Sequence, residues 1–523
     1  MQLNVEKKKK HQTTYKPIVI PMLAAIVLLS LVFLNYLQKE LKLPTDDWSR
    51  SIELPNNSGN DTPFLQHKDG HTFVYTAGQT GIQKLELDED LHVVNTTKSK
   101  AVLDENARVW SDGKQFVSTS AQKLVLLKEG KEKVLAENVS FMAPAKNMVY
   151  YSSENRVFAY LPEKEKTVEV NTYNAPISSL SGSLHHDSVM ATVTADDNHT
   201  VHYATKTEDS FRLSPVFSIQ KISTESLIGV KFAESDKDLH VIYTKYSVAG
   251  GARTYISFYG SAPVEKLENM PFNRLSFTNN QDLVLDKPTQ MDIFMKGETP
   301  NLLFASRGML TSKKDSVNIY TAQPENSEWK AERISSRDTY NRSPATLDGK
   351  NIFWLGSMSA KGNQLFAASS SPLVKEESKQ ITRTDLINAA SNTIPAFIIS
   401  FFAILVAMVW VLPTVLLLLV VYLFKKQSFE DEKPWIFWSF ALLFAAAQTI
   451  GIQRLFNDFF YDAAPSYLTF TCSSYVIPVV IAGLALLALR AAAGKDWTLL
   501  HKSSFFTGMN LLIVMLLVGV YVY

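Results

Sequence analysis

Two long stretches without a charged residue constrain this chain more than any other feature. Residues 17–38 (PIVIPMLAAIVLLSLVFLNYLQ) and residues 395–424 contain no Lys, Arg, Asp or Glu. A helix rises about 1.5 Å per residue and the hydrocarbon core of a bilayer is about 30 Å thick, so about 20 apolar residues cross it. Three further apolar runs lie at 435–453, 471–489 and 503–523. The pattern predicts five crossings: an N-terminal transmembrane anchor at 17–38 and a multi-pass α-helical membrane domain from 395 onward, with the lipid bilayer as an obligatory partner. Pro413 falls inside the 30-residue stretch. Lys425 and Lys426 follow that stretch directly and belong in the cytoplasm, so 395–424 is expected to be one long helix and not a hairpin turning at Pro413, a proline being tolerated in a membrane helix.

Basic residues set the expected orientation. Lys7, Lys8, Lys9, Lys10 and Lys16 precede the first span, and cytoplasmic flanks are enriched in Lys and Arg. The span runs into Asn35-Tyr36-Leu37-Gln38-Lys39 with no small-x-small cleavage pattern, so it is read as an uncleaved signal-anchor behind a basic cytoplasmic tail at 1–16. A single crossing at 395–424 then places Lys425, Lys426, Arg490, Lys495 and Lys502 on the cytoplasmic side, and the loop with Asp458 and Asp462 outside. This arrangement makes the chain a cell-membrane protein with a cytoplasmic N-terminus, a large extracytoplasmic domain at 39–372 and an external C-terminus. Within the spans, Ala441 and Ala445, then Ala447 and Gly451, are small-xxx-small pairs that let helix backbones approach closely. Gln448, Thr449 and Asn510 are read as interhelical hydrogen-bonding groups; no Asp, Glu, Lys or His lies deep in a span to mark an ion path.

Charge divides as the hydropathy does. Lys plus Arg minus Asp plus Glu is +4 for residues 1–36, −4 for 37–392 and +1 for 393–523. The middle domain has no basic excess, which excludes nucleic acid as its partner. The one cysteine, Cys472, lies at a span boundary. An exported domain of this size without cysteine has no disulfides and suits a bacterial envelope. The triplets Asn95-Thr96-Thr97 and Asn198-His199-Thr200 are read as ordinary polar content and not as glycosylation acceptors.

Between the anchors the apolar period becomes two. The run HVIYTKYSVAGGARTYISFYG, 240–260, has two alternating segments around Gly250-Gly251, the chemistry of a tight hairpin. A polar turn followed by an apolar strand recurs from His67, Trp110, Pro144, Ser235 and Leu347, with less regular copies near His185, Asn279 and Arg307. A spacing of about 40 residues suits propeller blades, each of which must be covered by its neighbours. The fold class expected is an all-β extracytoplasmic domain, a β-propeller of seven or eight blades, with a tandem of β-sandwiches as the alternative. Leu37 to Pro63 is read as a flexible polar linker. Residues 373–394 are read as a helical junction running into the next span.

The segments Asp348-Gly349-Lys350-Asn351-Ile352-Phe353-Trp354-Leu355, Lys68 to Tyr75 and Ser111 to Val117 resemble the repeats of TolB-like propellers, in which a Pro-Asp-Gly-Lys turn precedes an apolar strand. Leu347, Lys68 and Ser111 stand where that pattern has proline. The resemblance implies a propeller used for binding or scaffolding and names no ligand.

No catalytic, cofactor-binding or metal-binding residue is assigned from the sequence. His67 and His71 flank a turn and His185 and His186 are adjacent, but neither pair has a cysteine partner or a helical HExxH frame. Asp196-Asp197-Asn198 and Asp236-Lys237-Asp238 lack the ligand spacing of a calcium loop. Phosphate-loop, dinucleotide and nucleophile-elbow motifs are absent. The expectation is a non-enzymatic cell-envelope protein. Its propeller would bind a ligand or protein partner, and its helices would dock a membrane complex. An ectoenzyme acting on an envelope polymer, lipid or peptide is the alternative, because paired carboxylates meet in space and need no linear motif.

Overall fold

A computed structural model describes residues 15–55, 62–78, 81–104, 107–208, 210–222, 224–249, 251–279, 284–309, 315–325, 328–337, 339–358, 362–494 and 496–522. The lysines at 7–10, the Asn/Ser/Gly-rich part of the linker at 56–61, Gly250, Lys495 and Tyr523 lie outside the described residues. The chain divides into two compact units, one formed by residues 42–380 and one by the helices on either side of them.

Residues 42–380 form a seven-bladed β-propeller. The blades follow one another as 64–99, 109–136, 141–172, 177–220, 225–274, 277–333 and 340–369. Each is an antiparallel meander of four strands running from the channel outward. Blade 6 adds a fifth strand, Phe277–Asn279, parallel to its outer strand Glu328–Arg333. Neighbouring blades share buried apolar clusters that pass around the ring. Blades 1 to 3 meet around Trp110, Val117 and Tyr151. Blades 3 and 4 meet around Tyr150 and Val189, blades 4 and 5 around Tyr203 and Phe232, and blades 5 and 6 around Ile242 and Phe304. Blades 6 and 7 meet around Leu303 and Trp354. Leu65 and Phe353 close the ring between blades 7 and 1. A twisted four-stranded sheet has two apolar faces, and only a ring of such sheets covers both.

The turn spacing explains the blade count. Six of the proposed repeat starts, including the irregular one at His185, each open the first hairpin of a blade. Asn279 and Arg307 do not. Asn279 ends the extra outer strand of blade 6, and Arg307 lies inside that blade's second strand, Thr299–Met309. The first hairpin of blade 6 turns at Gly297 (φ +62°). Its strands of 11 residues displace the polar turns from the regular spacing. Two apparent repeats are therefore one blade, and the mean step between Asp69 and Asp348 is about 46 residues instead of about 40. The hairpin at 240–260 forms as its sequence suggests, with Ala249 opposite Ala252.

The N-terminal linker differs from its expectation as a flexible tether. Residues Ile52–Leu54 are the outer strand of blade 7, paired with Gly362–Ser369. Trp48, Ser49, Arg50 and Ser51 are buried. Blade 7 has only three strands of its own, and its outer edge is completed by these three residues from the other end of the domain. Hydrogen bonds hold the return. The Ser49 amide donates to the Ser369 carbonyl at 2.9 Å, and the Ser369 amide donates to Ser49 Oγ at 3.0 Å. The Arg50 guanidinium donates to the Ser378 carbonyl and, at 2.8 Å, to the Gln380 carbonyl. Both ends of the propeller therefore leave on the face that carries the first and third turns of each blade.

The junction after blade 7 is not one continuous helix. Helix α2, Pro372–Ser378, stops, and residues 379–382 separate it from α3, Arg383–Ser400. Thr382 ends the break with a capping box: its hydroxyl accepts from the Asp385 amide while the Asp385 carboxylate accepts from the Thr382 amide.

The helical unit comprises α1 (Lys16–Leu41), α3, α4 (Phe402–Phe424), α5 (Lys426–Glu430), α6 (Pro434–Gly451), α7 (Asp458–Ala463), α8 (Ser473–Ala492) and α9 (Leu499–Leu517). Among the described residues five helical stretches are long and apolar enough to cross a membrane: Lys16–Leu41, Arg383–Phe424, Pro434–Arg454, Ser473–Ala492 and Leu499–Tyr521. Pro413 lies inside α4, and the helix continues through it. Small residues sit where helices touch. A Cβ on Gly451 would lie 2.6 Å from the ring of the fully buried Trp410, and one on Gly519 would lie 2.9 Å from the Ala403 side chain. Gln448 on α6 and Asn510 on α9 are completely buried and exchange two amide hydrogen bonds of 3.0 and 3.1 Å.

Candidate functional site

The innermost strands of all seven blades line one cavity of about 300 Å³ along the propeller axis. Phe64, Val109, Pro144, Gly182, Phe232, Ile293 and Ala345 each come from a different blade. Gly182 is required by the crowding of this ring, because a Cβ there would stand 2.1 Å from the Pro144 carbonyl oxygen. On the side of the first turns, Leu184 and His185 separate this cavity from a second hollow of about 410 Å³ that includes His67, Lys146 and Asp348. On the opposite side, Thr62, Arg108, Lys231 and Asp292 are shared with a mouth of about 390 Å³.

Three consecutive blades break their ladders at that mouth. Register shifts lie between Ile228 and Lys231 in blade 5, between Asp286 and Asp292 in blade 6, and between Arg342 and Ala345 in blade 7. Gly229, Gln290 and Ser343, which line the mouth, have φ of +63°, +51° and +52°. For Gln290 and Ser343 this is a strained backbone that the surroundings must hold. The Ser343 amide donates to the Gln290 side-chain oxygen at 2.7 Å, joining the bulges of blades 6 and 7. A bulge re-aims the side chains that follow it. Here Lys231 and Asp292 end their bulges and line both the cavity and its mouth.

A second polar cluster lies lower in the channel, between blades 4 and 5. Glu234 ends the inner strand of blade 5 and accepts a hydrogen bond from Ser188 Oγ. Its other oxygen lies 3.6 Å from His186 Nδ1. Burial pushes the Glu234 carboxyl above the ordinary range, and the contacts with Ser188, His186 and Tyr203 oppose that push. Burial, with smaller repulsion from His186 and Lys146, holds His185 below the usual histidine range. The turn carrying the two histidines is pinned to blade 3. Asp187 accepts from the Asn147 amide at 2.9 Å and from its side-chain nitrogen at 3.2 Å, and the Tyr150 hydroxyl donates to the Asp187 carbonyl at 2.9 Å. Ser188 is fully buried, so its hydroxyl orients Glu234 and is not exposed as a nucleophile.

The histidines and carboxylates weighed in the sequence do not converge. His67 faces the lower hollow, while His71 meets Glu86 at 3.2 Å. Asp196 and Asp197 lie between the second and third strands of blade 4, and Asp236 and Lys237 in the first turn of blade 5. Among the described residues no group of three or more His, Cys, Asp or Glu is placed to hold a metal ion. His185 and His186 belong to a turn, as expected, but that turn folds against the channel. Sequence reasoning missed Arg108, Lys231, Glu234 and Asp292. One signal was available in the run Ile228-Gly229-Val230-Lys231-Phe232, where a glycine interrupts an apolar strand, a mark of a bulge or close approach.

No family model and no curated protein matches this sequence. Among solved structures the chain is similar to Kuenenia stuttgartiensis hydrazine synthase, at 11% identity over 60% of this chain and 98% of that one, with a TM-score of 0.40. It is also similar to the β-propeller domain of Myceliophteria thermophila Cps50 (Swd1), at 11% identity over 60% and 99% of the two chains, with a TM-score of 0.38. A chain of the mitotic checkpoint complex is similar at 11% identity over 61% and 93%, with a TM-score of 0.35.

Proposed function

We infer that this protein is a non-enzymatic, membrane-anchored binding protein of the bacterial cell envelope. Its propeller stands outside the cytoplasm and takes up a ligand or protein partner, and its helices dock other membrane subunits. The observation that carries the binding role is the axial cavity, walled by all seven blades and presenting charged groups at a mouth shaped by three bulges. A concave, partly apolar site with a few polar groups is the usual form of a ligand pocket. The Asp-Gly turns at 69–70, 112–113 and 348–349 occupy the same position in blades 1, 2 and 7, which supports the TolB-like reading of the repeats. The lysine-rich N-terminus and the basic residues after α4 and α8 support a cytoplasmic N-terminus and the external propeller. The apolar helices with small packing residues support docking within the bilayer. Purification in mild detergent tests the reading: a co-eluting membrane subunit or bound small molecule is expected, and a lone, empty protein would contradict it.

The Glu234 cluster favours a second reading, an ectoenzyme using this carboxyl as a proton donor. A carboxyl that burial makes less acidic, so that it keeps its proton, is on a cavity wall a recognised pattern for a general acid. That reading requires turnover of an envelope substrate that Glu234→Gln abolishes while ligand affinity is kept.

A further inference from the structure

The channel mouth holds two opposite charges that do not satisfy each other. Lys231 makes no side-chain hydrogen bond or ion pair with any described residue. Asp292 accepts one hydrogen bond, from the amide of its neighbour Ile293 at 3.0 Å, and forms no ion pair among the described residues. The two line the same cavity yet lie beyond the 4.0 Å of an ion pair. Both are half-buried. In a partly desolvated channel a charge attracts an opposite one more strongly than in water. Here each follows a backbone bulge, and the hydrogen bond from the Ser343 amide to Gln290 braces the blade 6 bulge. Phe232 and Ile293, next to the two charges in sequence, line the same cavity and supply apolar surface.

We propose that this channel binds a short peptide with free ends, its carboxylate directed to Lys231, its ammonium to Asp292 and its apolar side chains against Phe232 and Ile293. A ligand with only one charge would leave the other channel group to lose water without gaining a partner, which costs free energy. A zwitterion satisfies both. A cavity of about 300 Å³ has room for more than a single amino acid. Arg108, which donates to the Met142 carbonyl at 3.3 Å, lines the same cavity from blade 2 and adds positive potential to it.

This proposal rests on the reading of the propeller as a binding module. It is tested by calorimetric titration of the full-length protein in mild detergent with Leu-Leu, N-acetyl-Leu-Leu and Leu-Leu amide. Free Leu-Leu is expected to bind, and blocking either end to weaken binding by about tenfold or more. Lys231→Met should remove the discrimination between acid and amide while keeping that between amine and acetyl. Asp292→Asn should do the reverse, so each variant reports on the integrity of the other subsite. Equal affinity for free and blocked peptides overturns the proposal, as does the absence of saturable binding by Leu-Leu, Ala-Phe and Gly-Lys alike. If the peptides fail while the protein still carries another small molecule or a subunit through purification, the peptide assignment falls and the binding role stands.

Discussion

Glu234 shows how one side chain can tie the channel to pH. Its carboxyl is raised above the ordinary value of 4.5, chiefly by burial. A raised value in the folded state means that the fold binds this proton more tightly than the unfolded chain does. The stability it contributes is complete below the ordinary glutamate range and is lost as pH climbs through the raised value. His185, held low by burial, acts in the opposite sense and costs stability as the solution becomes acidic. Glu234→Gln leaves His185 in place, so the difference between variant and parent isolates the carboxyl. The melting temperature of the variant relative to the parent should rise as pH is taken from about 4.5 to neutrality. A difference that stays constant across that window would mean that the carboxyl titrates normally and is not desolvated.

Two elements hold their units through a few polar contacts. In the propeller, residues 48–54 close the ring, and Arg50 fastens them to the end of α2 through backbone carbonyls. Arg50→Ala removes charged hydrogen bonds from a buried site and should cost about 1.5–3 kcal/mol in the unfolding of the propeller. Denaturant melts of the parent and variant measure this, and an unchanged midpoint would show that Trp48 and the strand pairing close the ring unaided. In the helical unit the Gln448–Asn510 pair is a closed exchange of two amides. Interhelical hydrogen bonds of this kind average about 0.6 kcal/mol and reach about 1.7 kcal/mol. A double-mutant cycle with Gln448→Leu and Asn510→Leu should return a coupling in that range, because each single change strands the other amide. Additive effects would show that the two amides act independently.

At the scale of the whole molecule, the chain enters the propeller once and leaves it once, at a blade completed by both ends. Any orientation of the surrounding helices must therefore keep residues 42–380 on one side of the membrane. With a cytoplasmic N-terminus and five crossings, a reporter active only in the cytoplasm should work when fused after Lys426 or within 493–498. It should be silent after Ser370 and at the C-terminus. Activity at the C-terminus would require an even number of crossings and would reverse the basic-residue assignment of α8 and α9.

The sequence by itself determined which parts are apolar helix and which are alternating strand, because hydropathy period and turn chemistry act over a few residues. The uncharged run at 395–424, the hairpin at 240–260 and the Asp-Gly turns of blades 1, 2 and 7 were legible for that reason. Tertiary structure decided the rest. The seventh blade is closed by Ile52–Leu54, three residues too short and too polar in context to stand out as a strand, whose partner lies more than 300 positions away. Blade 6 absorbs two apparent repeats because its long strands displace the turns that mark a repeat. The channel was the least legible feature of all. Lys231, Glu234 and Asp292 look like ordinary polar positions in strands, and only the glycine at 229 hints locally at the bulge before Lys231. They acquire a role only when ring closure turns the innermost strand of every blade toward one axis and brings Lys231 and Asp292, each at the end of a bulge, to one cavity.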